Sequence, residues 1–158
     1  MIVQEIKGDL FKAIKEIKDK TVVIAHCVND LKIHGSGFVI PLFNAFPAAK
    51  TQYLSFHHKL DDVSYSHIGN VCVFNMCAQT GIRSKSTGPR KYVNEKPGRY
   101  SSLVRCMNSV DITIKELLSN VEIHIPKICS DRAGLDWNLV KELINEIWVD
   151  YPVYVYYL

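Results

Sequence analysis

The sequence predicts an α/β domain: a three-layer α/β/α sandwich on a mixed, mostly parallel central sheet. Three observations predict it. Strand-like and helix-like segments alternate along most of the 158 residues. Thr21 to Ala25 is β-branched or apolar on both faces, as befits a strand covered by helices on both sides. The run Ile24-Ala25-His26-Cys27-Val28-Asn29-Asp30-Leu31-Lys32-Ile33-His34-Gly35-Ser36-Gly37-Phe38 then passes from apolar to polar and back to apolar. That is the order of a buried strand, a ligand loop and a helix start. A chain of this length forms one domain with a sizeable core, expected to span 1–158.

Ile2 to Lys7 alternates and reads as a strand. Gly8-Asp9 breaks it, with Asp9 where an N-cap belongs, and Leu10, Phe11, Ile14 and Ile17 follow at helical spacing. After Thr21–Ala25 and its loop, Phe38 to Phe46 reads as helical with Pro41 in the first turn, and Pro47 starts a second helical piece through Tyr53 and Phe56. Adjacent helical residues point apart, so His57-His58 reads as solvated surface rather than a metal pair. Val63–Tyr65 and Val71–Cys77 read as a hairpin around Gly69-Asn70. Tyr100 to Asn120 carries Leu103, Met107, Val110, Ile114 and Leu117 at alternating spacings of four and three, a helix. Val121 to Pro126 is a strand. Trp137 to Val149 is a helix capped by Asp136, and Leu135 and Val140 have the spacing of a hydrophobic staple. Pro152 to Leu158 closes the chain as a strand, expected near a sheet edge because of its proline.

Hydrophobic residues make up 47% and charged residues 22%, which excludes a disordered chain. A net charge of +3 suits an anionic ligand but is too weak to argue for nucleic acid by itself. The five cysteines, Cys27, Cys72, Cys77, Cys106 and Cys129, form no CxxC pair. They argue against a zinc site or disulfide framework and point to a reducing, cytoplasmic setting. Met1-Ile2-Val3-Gln4-Glu5 is not a signal peptide, and no apolar run approaches the roughly 18 residues of a membrane helix. No membrane partner, no metal and no cofactor are expected, and the chain is expected to be a monomer.

Ligands of open α/β sheets bind outside the carboxyl ends of the strands. Three polar loops follow strands here, Cys27–Gly37, Ala78–Arg99 and Lys127–Asp136, and all three should face one crevice. The middle one contains Arg83, Lys85, Arg90, Lys91, Lys96 and Arg99 among Gly81, Gly88, Pro89, Pro97 and Gly98. It reads either as a solvated basic loop or as a positive flap over a negative ligand; RNA contact through 83–99 is a weaker alternative.

The motif order resembles the macro domain family. Gly8-Asp9-Leu10 follows the first strand, and His26-Cys27-x-Asn29 follows the second. Gly35-Ser36-Gly37 begins six residues after Asn29. Pro126-Lys127-Ile128 precedes a loop ending in Ala133-Gly134-x-Asp136-Trp137. Within the family it resembles the branch containing ADP-ribose 1″-phosphate phosphatases and the terminal ADP-ribose glycohydrolase. The resemblance implies ADP-ribose or a derivative as ligand. It implies that Gly8, Asp9 and Leu10 meet adenine, with Asp9 accepting from the amino group; the local alternative is a plain N-cap. Asn29 addresses the distal ribose, or else forms an Asx turn with Asp30. Gly35, Ser36 and Gly37 form the phosphate cradle, where backbone N–H groups and a helix start favour anions, with Ile33, His34 and Phe38 as further ligand-binding candidates beside it. Gln79 lies beyond the central strand. Cys129, Ser130, Asp131, Arg132, Ala133 and Gly134 match the second phosphate loop, but relatives are usually glycine-rich at Cys129 and Asp131. Asp131 is then either a general base or half of a local pair with Arg132.

The covalent lysine route of the glutamyl-ADP-ribose hydrolases is disfavoured: Ala78 and Gln79 stand near the lysine position, no lysine follows until Lys85, and Ala133 stands near the partner aspartate. His26 matches a histidine implicated in the phosphatase relatives and is the candidate reactive group, with a histidine packed at a strand end as the alternative; His34 is the weaker candidate. Neighbours on a strand face opposite sides, which argues against a Cys27–His26 nucleophile pair. The implied function is hydrolysis of an ADP-ribose derivative, foremost ADP-ribose 1″-phosphate, with His26, Asp131 and Asn29 as catalytic candidates. A non-catalytic ADP-ribose-binding module or a de-ADP-ribosylating hydrolase is the alternative.

Overall fold

The computed structural model describes residues 1–35, 37–56, 58–82 and 96–158. The elements run β1 (Ile2–Lys7), α1 (Leu10–Lys15), β2 (Thr21–Asn29), α2 (Val39–Ala45), α3 (Pro47–Ser55), β3 (Val63–Ile68), β4 (Val71–Gln79), α4 (Tyr100–Leu117), β5 (Val121–Pro126), α5 (Trp137–Ile147) and β6 (Val153–Tyr157). The six strands form one sheet in the order β1-β6-β5-β2-β4-β3. Every neighbouring pair is parallel except β3 with β4.

The alternation of side chains along each strand builds two cores. Val23, Ala25, Phe74, Met76, Ile123 and Ile125 join Leu103, Met107 and Val110 of α4 and Val140 and Ile144 of α5 on one face. Val22, Ile24, Val28, Val73 and Cys77 join Leu10 and Ile14 of α1, Leu42 and Phe43 of α2, and Ala49 and Tyr53 of α3 on the other. Helices therefore cover both faces, the three-layer arrangement that the doubly apolar β2 requires. Local chemistry fixes the helix starts. The Asp9 side chain accepts from Phe11 N at 2.8 Å, and that of Asp136 accepts from Asn138 N at 2.8 Å. Pro41 falls in the first turn of α2, and Pro47 opens α3. Gly69, at φ 60°, turns the hairpin, and Asn70 anchors it by donating to Ile17 O and Lys20 O.

One expectation is refined and one is corrected. β6 lies near the sheet edge, as expected, but one strand in: it pairs with the edge strand β1 on one side and β5 on the other. Pro152 precedes the strand, and its carbonyl accepts from Ile123 N at 2.9 Å, so its missing N–H costs the ladder nothing. His58 is not solvated surface. It is 4% exposed and its Nε2 lies 2.8 Å from Ser64 Oγ; His57 lies outside the described residues. Among smaller differences, β2 runs on to Asn29 because β4 continues beside it, pairing His26 with Asn75 and Asn29 with Gln79. Helix α1 ends at Lys15, short of the apolar Ile17, and α4 and α5 end at Leu117 and Ile147, short of the expected Asn120 and Val149. No helix among the described residues is long and apolar enough to cross a membrane.

Candidate functional site

The parallel strands β1, β6, β5, β2 and β4 all end on the same side of the sheet. Their C-terminal residues and following loops enclose a cavity of about 1000 Å³. Parts of all three strand-end loops line it, together with Gly8, Asp9, Leu10 and the end of β6. Every residue expected at the site lies on this wall except Gly134 and Ser36; Ser36 is outside the described residues, as is the basic segment 83–95. Gly81, Ile82 and Lys127, in loops expected to face the crevice, also line it, as do Phe11, Tyr53, Tyr156 and Tyr157, which nothing in the sequence placed there.

Asn29 organises the first loop. Its Oδ1 accepts from Leu31 N at 2.9 Å, Ile33 N at 3.1 Å and the Tyr53 hydroxyl at 3.1 Å, while Nδ2 donates to Ile33 O at 2.8 Å. The Asx turn is thus formed, and one Nδ2 hydrogen remains for a ligand. Burial raises the Tyr53 phenol pKa, so this hydroxyl keeps its proton and donates. Asp30 ties the first loop to the second: its carboxylate accepts from Thr80 Oγ1 at 2.9 Å and from Gly81 N at 3.1 Å. Gly37 sits at φ 83°, a conformation that strains any side chain. Phe38 stacks on Phe11, with ring centroids 5.5 Å apart, and so closes the loop onto α1. The α2 helix behind this loop has seven residues, so its dipole adds little.

His26 is packed at the end of its strand and also lines the cavity. It is 4% exposed, with its ring against Phe43 and Phe38 at centroid distances of 5.7 and 6.2 Å. Its Nε2 donates to Asn75 Oδ1 at 2.5 Å. Burial lowers its pKa from 6.5 to about 4, partly offset by the Asn75 hydrogen bond. His26 is therefore neutral at pH 7, with about one molecule in a thousand protonated. His34 donates from Nδ1 to Lys32 O at 3.1 Å and packs on Phe43 and Tyr53. Cys27 faces away from His26, toward the α4–α5 core. A hydrogen bond with the Cys129 thiol, and then burial, push its pKa well above 9.0, so a thiolate nucleophile is scarce.

The β5 loop is wound tightly. Cys129 adopts φ 59°, a left-handed conformation that favours glycine, and Leu135 N donates back to its carbonyl at 3.0 Å. Gly134, at φ 81°, completes the turn without reaching the wall. Asp131 and Arg132 are exposed on the cavity wall. Lys127 lies over the rings of Trp137 and Tyr157, at 5.9 and 5.3 Å. Tyr156 is held from beneath: its hydroxyl donates to His124 Nδ1 at 2.8 Å, and His124 Nε2 donates to Glu122 Oε2 at 3.1 Å.

Gly98 braces this loop from outside the cavity. Its N–H donates to Ala133 O at 2.9 Å, while Thr80 N and Arg99 N bond Pro97 O and Ala78 O. A Cβ at Gly98 would stand 2.8 Å from Leu135 Cγ and 2.9 Å from Ala133 O. The carbonyl cannot retreat without losing its donor. Gly98→Ala is therefore expected to cost about 1–3 kcal/mol by overpacking. Calorimetry should show the melting midpoint lowered by several degrees; an unchanged midpoint would show that the loop yields freely.

No protein-family profile matches the chain. Among curated proteins, an ADP-ribose 1″-phosphate phosphatase of Lodderomyces elongisporus is 24% identical over 168 residues, covering 98% of this chain and 99% of that protein. Among solved structures, a Bacteroides thetaiotaomicron protein of unknown function superposes with a TM-score of 0.78 at 28% identity, over 100% of this chain and 98% of that one. A macrodomain protein from Streptomyces coelicolor does so with a TM-score of 0.76 at 25% identity, over 100% and 99%. The chain has the macro-domain fold, and the loops that follow its strands meet at one cavity.

Proposed function

We propose that the cavity binds ADP-ribose and that the chain hydrolyses ADP-ribose 1″-phosphate to ADP-ribose and phosphate. The observation that carries this reading is the order of the strand ends. Asp9 follows β1, the Cys129–Ala133 loop follows β5, and His26 and Asn29 end β2. β1 and β2 stand three strand spacings apart, about 14 Å. A ligand with a base, a diphosphate and a second sugar spans that distance, whereas a mononucleotide covers part of it. Asp9 uses Oδ1 for its cap, leaving the other oxygen to accept from an adenine amino group. Loop amides meet the diphosphate, and the second Nδ2 hydrogen of Asn29 meets the distal ribose. The similarity to an ADP-ribose 1″-phosphate phosphatase along nearly the whole chain supports the substrate.

In the reaction, water attacks phosphorus and the P–O bond to the ribose breaks. Because His26 is neutral at pH 7, it enters as a base, not as an acid. It takes the proton of the attacking water and returns it to the departing ribose oxygen, which leaves ADP-ribose and inorganic phosphate. Asp131, on the same wall, is the second candidate base.

One observation favours a second reading, a binding module without turnover: a carboxylate, Asp131, stands on the wall of the loop assigned to the phosphates. Phosphate release from ADP-ribose 1″-phosphate separates the two. Turnover supports the phosphatase. Saturable binding without phosphate release favours the module.

A further inference from the structure

A line of buried polar side chains runs across the sheet behind the cavity. In the strand register, Asn75 of β4 is the direct partner of His26 on β2 and of Ser64 on β3. The three therefore lie on one face, whose other β2 and β4 residues (Val22, Ile24, Val28, Val73 and Cys77) are apolar. His58 continues the line at 2.8 Å from Ser64 Oγ. All four are at most 4% exposed. Polar groups so deep in an apolar layer are costly unless each is satisfied, and their hydrogen bonds then select one arrangement.

From this row we infer that Asn75, Ser64 and His58 act as positioning residues that hold His26 in its Nε2–H form, leaving Nδ1 as its basic nitrogen. The Asn75 amide fixes the hydrogen at the His26 end of the row. Asn75 Nδ2 donates to Ala49 O at 3.2 Å and to Ser64 Oγ at 3.3 Å. A carbonyl only accepts, so the amide cannot flip without setting oxygen against oxygen. Oδ1 therefore faces His26, and His26 Nε2 must carry the hydrogen. Ser64 Oγ accepts from Asn75 and sends its own hydrogen to His58 Nε2. His58 is then the Nδ1–H form, with its Nδ1 buried and the backbone of Phe56 and Tyr53 favouring a hydrogen on the ring. Burial disfavours the charged form of His58, so it remains a neutral acceptor for Ser64. The row thus extends from the cavity wall to His58, beside Ser64 of the edge strand β3 and Tyr53 of α3, and sets which nitrogen of His26 is basic.

The test is the tautomer of His26 in the full chain. Long-range proton–nitrogen correlation spectra of the 15N-histidine-labelled protein at pH 7 report it, with His26→Gln assigning the signals. The expected result is a single Nε2–H form in the unaltered chain. Ser64→Ala and His58→Phe are expected to give a mixture or the Nδ1–H form, and Ser64→Thr, which keeps the hydroxyl, to restore the original pattern. The inference is overturned if unaltered His26 is the Nδ1–H form, or if Ser64→Ala and His58→Phe both leave its spectrum unchanged. The consequence for catalysis rests on the proposed phosphatase reading: Ser64→Ala should lower kcat by about tenfold with KM nearly unchanged. The tautomer is read without turnover, so failure of the phosphatase reading leaves this inference separately testable.

Discussion

His26→Ala is expected to lower phosphate release from ADP-ribose 1″-phosphate by about 10²–10⁴-fold, the usual contribution of a positioned acid–base group. ADP-ribose affinity should stay within a few-fold of the unaltered protein, because in the proposed binding mode loop amides and Asp9 hold the remainder of the ligand. Steady-state turnover beside a binding titration checks both halves; turnover unaffected by the substitution would remove His26 from the mechanism. The same residue makes stability depend on pH. An unfolded histidine titrates near 6.5 and folded His26 near 4, because burial disfavours its charge. Between those values the unfolded chain binds more protons, so stability falls as the pH falls. The neutral side chain's contribution is present above about pH 6.5 and is lost toward pH 4, an effect of roughly 3 kcal/mol. Denaturant melts of the unaltered chain and of His26→Ala across this range should diverge in slope.

Asn29→Ala is expected to weaken ADP-ribose binding by about 30-fold. Three donors converge on Oδ1, and Nδ2 closes the turn onto Ile33 O. Alanine leaves the Leu31 and Ile33 amides and the Tyr53 hydroxyl to find other partners. The loop is half-buried and water can replace some of them, so the loss is about 2 kcal/mol, which corresponds to that change in Kd. Asn29→Asp preserves the acceptor, loses the donor to Ile33 O and adds a charge beside the proposed phosphate loop; its affinity should also fall. Calorimetric titration of both variants checks this, and wild-type affinity in Asn29→Ala would mean that the loop is ordered by other contacts.

Features set by neighbours in the chain were legible in the sequence. Asp9 and Asp136 cap helices because the cap bond reaches two residues ahead. β2 announced its burial through residues apolar on both sides, and that burial implied helices on both faces. Loops that follow parallel strands meet at one end of the sheet, whatever the strand order. Features set by partners far along the chain were not legible. The proline before β6 placed the strand near an edge, where it is, but which strand covers it is decided by strand order: β6 lies between the edge strand β1 and β5. His58 looked solvated beside His57; burial followed from Ser64 and the β3 edge. Asn75 stands in the apolar run of β4, where one polar residue gives no sign that it will face His26. Asp30 reaches Thr80 and Gly81, about fifty positions away, and Tyr53 reaches Asn29 from α3. Gly98 read as part of a flexible polar stretch, yet it is packed against Ala133 and Leu135.

The claim on which the account rests is that one ligand lies across the strand ends from Asp9 to Asn29. Calorimetric titration of the full chain with ADP-ribose, with AMP as comparison, tests it most directly. The account predicts one saturable site per chain, with AMP bound at least about tenfold more weakly because it leaves the β2 end unfilled. No saturable binding of ADP-ribose, or AMP binding as tightly as ADP-ribose, would contradict it.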